Sequence, residues 1–169
     1  MSKQPDISGN FPFGEVGQPT EELSEPRLKS AKEIHDLWLS KLDGRDMPRK
    51  SDIRPSEMKS FLTNVYIVDV LDSGKDFRIR LFGTGVSDML KQDFTGVTLS
   101  ETPPELHWRG DVYRLAYERR APVFYLFELI PFGREHVITE NVLLPLANEQ
   151  GEFAHLLCLS VEASRRRDQ

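Results

Sequence analysis

Apolar and polar positions change rhythm several times along the chain, and each rhythm predicts an element. Between residues 24 and 43, Leu28, Ala31, Ile34, His35, Leu37, Trp38, Leu39 and Leu42 fall on one half of a helical wheel. Lys29, Lys32, Glu33, Asp36 and Ser40 take the other half. The segment therefore predicts an amphipathic helix whose wide apolar face needs a cover, either its own sheet or a second chain. His35 lies inside that face and reads as a packed histidine satisfied by a local hydrogen bond. Residues 63–71 and 76–82 alternate with period two, and Asp72-Ser73-Gly74-Lys75 between them is a turn sequence, which predicts a hairpin. Gly83-Thr84-Gly85 ends the second strand. Thr84 is a candidate N-cap, and Val86, Met89 and Leu90 at helical spacing predict a short helix that closes by Asp93.

Thr102-Pro103-Pro104-Glu105 has capping-box spacing and opens a helix predicted to run to about residue 120. Leu106, Trp108, Val112, Tyr113, Leu115, Ala116 and Tyr117 share one arc of it, while His107, Asp111, Arg114 and Glu118 share the opposite one. Arg109 projects within the apolar arc, where a guanidinium must be paired, reach back to water, or meet an anionic group. Three strands follow, near residues 122–130, 136–146 and 152–161, joined by links of hairpin length. The first is apolar on both faces. Along the second, His136, Ile138, Glu140, Val142, Leu144 and Leu146 share a face; along the third, Phe153, His155, Leu157, Leu159 and Val161 do. Two strands, two helical segments and three strands with short antiparallel links give an α+β fold, a sheet with helices on one face. Residues 1–23, rich in Pro and Gly without apolar periodicity, read as a flexible arm. Residues 24–161 form the single domain, and 162–169 a solvated basic tail.

Trp38, the loop 44–55 (GRDMPRKSDIRP), the strand 77–81 and the Gly83-Thr84 turn into a short helix occur in an order and spacing that resemble a bacterial PAS-domain family of the single-domain, PAS_5-like type. The resemblance covers about residues 24–161. It implies a PAS-like fold with a five-stranded antiparallel sheet in the order 2-1-5-4-3, counted along the chain, plus the extra N-terminal amphipathic helix. It also implies a sensory or interaction role in signal transduction. A small ligand is then expected between sheet and helices, with Tyr66, Met89, Arg109, Tyr113 and Glu140 as its binding residues. The helix around Trp38 is expected to form a homodimer or partner contact. With no kinase, cyclase or helix-turn-helix segment attached, any output goes through binding to a signalling partner.

Composition narrows the chemistry. A net charge of −5 over 169 residues argues against a nucleic-acid surface, and no apolar run is long enough for a membrane helix. One cysteine, Cys158, points to a reducing compartment, and a cytoplasmic location is expected. The glycine loop 83–88 carries Asp88 where a dinucleotide loop needs its third glycine. None of the four histidines is spaced as a metal pair, so no metal is expected. Neither haem nor flavin is expected, Cys158 lying on a strand rather than in a photoreceptor helix motif. Ser87, Ser100, Thr139 and Cys158 lack a nucleophile signature, so no catalytic residue is assigned. Glu140 is the oddity on its strand: it predicts a raised pKa, a pair with Arg80 or Arg109, or a cross-strand pair with His155. Arg45, Arg49, Lys50 and Arg54 suit an anion site or, more simply, pairs with Asp46 and Asp52. Two other readings stay open: a ligand-free structural adaptor, and a small isomerase-like enzyme on an α+β cup.

Overall fold

The alternating segments become the strands of one antiparallel sheet. The computed structural model describes residues 20–102, 107–129 and 134–165. Its elements are β1 (Thr20–Leu23), α1 (Lys29–Ser40), β2 (Val65–Leu71), β3 (Asp76–Phe82), α2 (Thr84–Leu90), α3 (Trp108–Arg119), β4 (Val123–Leu129), β5 (Arg134–Ala147) and β6 (Phe153–Arg165). Expectations for residues 1–19, 103–106, 130–133 and 166–169, and for the side chains of Trp108 and His136, lie outside the described residues.

The α+β class and the antiparallel sheet with its helices are as expected, but the strand count is not. The sheet has six strands, not five, in the order β1-β4-β5-β6-β2-β3: β1 is added at the edge beside β4, and the five strands from β2 onward, counted along the chain, stand in the expected order 2-1-5-4-3. The difference comes from residues 20–23. Expected in a flexible arm, they pair with β4 from Thr20↔Phe127 to Leu23↔Phe124 and form an edge strand. Leu23 is buried and Arg119 of α3 forms an ion pair with Glu22, two tertiary anchors that no local pattern announces. At the other end, β6 runs on through residues 162–165, read as tail, because they continue the β5 ladder to Val137↔Arg165.

Strand parity assigns the two faces. Tyr66 and Val68 of β2 and Ile79 of β3 stand on the face beneath α2 and α3, where Val112, Tyr113 and Ala116 complete a buried layer. α1 packs on the opposite face. Ala31, Ile34 and Trp38 are all buried, and Trp38 Nε1 donates to the carbonyl oxygen of Pro145 at 2.7 Å. The covered side of α1 is therefore its own sheet, and the Trp38 ring is unavailable to a second chain. Of this helix's large apolar side chains, Leu39 remains exposed at 45%. His35, half-buried, packs edge-on to Phe124 at 4.9 Å, and burial lowers its pKa against the opposing pull of Asp36.

The turn out of β3 is fixed by a backbone approach. Gly83 donates its N–H to Val65 O at 3.0 Å, and a Cβ there would sit 2.2 Å from Thr63 O and 2.7 Å from Val65 O. Gly83, rather than Thr84, occupies the N-cap position of α2. On the α1 face, Asp69 of β2 is 5% exposed and accepts Arg80 Nε and His155 Nδ1, each at 2.9 Å, with Arg78 3.6 Å away. Arg80 and His155 thus serve Asp69, not Glu140 as expected. Burial alone would raise the Asp69 pKa, but the Arg80 and His155 hydrogen bonds together outweigh it and hold the carboxyl below its ordinary value.

Two outcomes are expected. Gly83→Ala should cost about 2–3 kcal/mol or more in urea denaturation, because backbone oxygens cannot move aside as a side chain can. Gly85→Ala, whose Cβ would meet Thr63 O at 3.0 Å, should cost less. Asp69→Asn should lose about 1–3 kcal/mol at neutral pH. A depressed folded-state pKa stabilises above the unfolded value of about 3.9 and stops doing so as pH falls through the lower folded value, so the gap from wild type should shrink as the pH is taken below about 3.9.

Candidate functional site

A polar row crosses the sheet under α3. The register places Tyr125 of β4 opposite Asn141 of β5, and Asn141 opposite Ser160 of β6, while Tyr66 of β2 lies opposite Cys158, two positions along. Each of these side chains is buried, and each strand supplies them from the face that its other residues make apolar. Asn141 Nδ2 donates to Thr139 Oγ1 at 3.0 Å and to Thr139 O at 3.3 Å, and Thr139 Oγ1 donates to Phe127 O at 3.2 Å. β5 thus carries two polar side chains into the core with part of their hydrogen bonding satisfied by the strand itself and by β4.

Arg109 closes the row from above. It sits in the first turn of α3, is 7% exposed, and lines one small cavity together with Tyr66, Tyr125, Thr139, Asn141 and Ser160. Val86 and Leu90 of α2 and Phe127 and Leu129 of β4 form the apolar wall. The space a water-sized sphere can occupy there is about 20 Å³, enough for one water. The guanidinium carbon lies 5.4 Å from the centre of the Phe94 ring, a cation–π distance. Tyr113, on the same helix, donates its hydroxyl to Tyr66 at 3.3 Å and stands behind the cavity wall.

Charge is unequally shared in this site. Burial would lower the Arg109 pKa, but the phenol oxygens of Tyr113, Tyr66 and Tyr125 outweigh it and raise it further above its ordinary value. Burial pushes the Tyr66 and Tyr125 phenols and the Cys158 thiol well up, and Tyr113 up as well. At neutral pH the cavity holds one fixed positive charge surrounded by protonated, neutral groups.

Of the residues expected to bind a ligand, Tyr66 and Arg109 meet at this cavity. Tyr113 is adjacent through Tyr66. Met89 is buried in α2 but outside the cavity lining, which takes Val86 and Leu90 from that helix. Glu140 is not a site residue. It faces the other side of the sheet, where its carboxylate accepts the backbone N–H of Arg27 at 2.7 Å and of Leu28 at 3.1 Å. These are the groups at the start of α1, so an interior carboxylate caps a helix from a neighbouring strand and complements its positive end. The loop residue Arg45 donates to Lys41 O, Leu42 O and Asp52, and Arg120 lies 3.8 Å from Asp46, so both loop aspartates have arginine partners. Among the described residues no group of three or more His, Cys, Asp or Glu is placed to hold a metal ion, and no helix is long and apolar enough to cross a membrane.

Sequence reasoning passed over Tyr125, Thr139, Asn141 and Ser160. Thr139 and Asn141 carried a visible signal, two polar residues at i and i+2 flanked on the same strand face by Val137 and Leu143.

An antiparallel sheet that holds a polar cavity beneath short helices, with Arg109 the one buried cation among the described residues, has the architecture of a sensory or interaction domain. A family model described as PAS domain matches residues 27–160, and the chain belongs to that family. Searches of curated proteins and of solved structures gave no match.

If Glu140 serves α1 and not the cavity, Glu140→Gln should lower stability by about 1–2 kcal/mol in urea denaturation through a weakened cap. Tyrosine near-ultraviolet circular dichroism, to which Tyr66, Tyr113 and Tyr125 contribute along with Tyr117, should stay unchanged.

Proposed function

We propose that this PAS domain is a cytoplasmic sensory and interaction module of bacterial signal transduction, which binds a small ligand at the Tyr66–Arg109–Tyr125 cavity and passes that state to a protein partner without catalysis. The observation that carries the reading is a guanidinium at 7% exposure opening onto a small, partly open space lined by polar side chains at the sheet–helix junction. A core built only for stability replaces such a charge with apolar volume at no loss, so its presence favours a binding role. The protonation states speak for binding over chemistry. The cavity's ionisable lining is Arg109 and phenols of raised pKa, which supply no general base near neutral pH.

Self-association, where it occurs, uses a limited part of α1. With Ala31, Ile34 and Trp38 buried in its own chain, a second copy would have to use the outward side near Leu39. One observation favours the ligand-free adaptor instead: a space of about 20 Å³ is close to a fully packed core.

The two readings separate by thermal shift. The low-molecular-mass fraction of a host-cell extract should raise the melting temperature of the wild type by about 5 °C, and leave Ser160→Val, which fills the cavity, unmoved. An extract that shifts neither protein favours the adaptor.

A further inference from the structure

The ion pairs formed among the described residues leave Arg109 out. Its neighbours among the described residues are the phenol oxygens of Tyr66, Tyr113 and Tyr125 and the face of Phe94, all of them neutral. Dipoles and a ring quadrupole reduce the cost of a buried cation without cancelling its charge. Lysine or histidine in such a place would release a proton, but arginine does not deprotonate in a protein. With no described carboxylate paired to it, the route to neutrality is a counter-ion, and Arg109 opens onto a space of about 20 Å³. Hydroxyl groups line the same space on Tyr66, Tyr125, Thr139 and Ser160, and a hydroxyl hydrogen rotates toward whichever acceptor is present.

We propose that the cavity takes a compact monoanion, either chloride or the carboxylate group of a one- or two-carbon acid, held by Arg109 and the surrounding hydroxyls. The inference rests on the ligand reading above and names the ligand's class. One positive charge is matched by one negative charge, which disfavours a dianion. The space fits chloride directly and, of a one- or two-carbon acid, the carboxylate head, with the remainder toward the partly open side; phosphate and larger groups exceed it. A planar carboxylate suits the fork of a guanidinium, and chloride suits the size.

The test is thermal unfolding of the 169-residue chain at constant ionic strength in sodium gluconate, titrated with chloride, formate, acetate and the neutral isostere acetamide. Chloride, or formate and acetate, should raise the melting temperature by about 5 °C at a hundredfold excess over Kd, while acetamide does not. Which of the anions acts tells halide from carboxylate. Arg109→Met should abolish the response and Arg109→Lys should keep a weakened one. If the Met variant does not fold, the acetate–acetamide contrast on the wild type decides alone. Equal shifts with acetamide, or an undiminished response in Arg109→Met, overturn the anion assignment. A cell extract that stabilises the wild type when none of these anions does also overturns it, yet leaves the ligand reading standing. Silence from anions, acetamide and extract together removes both.

Discussion

A guanidinium that neither titrates nor reaches bulk water constrains everything packed around it. Arg109 enters the core from the first turn of α3, and the residues that meet it are Tyr66 of β2, well before it in the chain, Tyr113 of the same helix and Tyr125 of the strand that follows. Each contributes a phenol, a side chain with an apolar body for the core and an oxygen for the charge. The arrangement holds only if α3 is seated at one depth and one rotation over the sheet. Arg119, at the far end of the same helix, pairs with Glu22 of β1, and Arg114 donates to Gly74 O at 3.0 Å, so both ends of the sheet help to set that position.

The period of two along β5 then divides the molecule's polar groups between two tasks. Thr139 and Asn141 face α3 and the cavity; Glu140 between them faces α1 and caps it. A slip of one residue in the β4–β5 register would exchange the two sets. The carboxylate would meet Arg109 and neutralise the site, and α1 would lose its cap. The separation of Arg109 from the buried carboxylate of Glu140 is thus a consequence of strand pairing. A third polar group, Asp69 with its Arg80 and His155 partners, belongs to the same face as Glu140 but two strands away, and plays no part in the cavity.

Much of the fold was legible because its signals are local. The hairpin of β2 and β3, the turn at Gly83 into α2, the two-faced α3 and the last three strands are each announced by an apolar period and a turn sequence within a short window. The site was legible in part. The helical wheel put Arg109 among apolar residues, and the Tyr66 side of β2 is a single strand's alternation. Tyr125 and Ser160 carried no comparable signal, since a phenol or a hydroxyl on a buried strand is ordinary until one knows what stands opposite. Glu140 was misread for a related reason: its strand shows it as out of place, but only the helix start lying against it shows what it is for.

By itself, then, the amino-acid order determined which segments become strands and helices, which residues each one buries, and that a permanent cation lies on a buried helical face, because these depend on side-chain periodicity and turn chemistry within a few residues. Tertiary structure alone decided that residues 20–23 close the sheet's edge, that Trp38 seals against Pro145 instead of a second chain, and that the carboxylate of Glu140 lies on the far side of the sheet from Arg109. Those outcomes rest on contacts between positions about a hundred residues apart. The register of strand pairing sets such contacts, and no short stretch of the chain contains it.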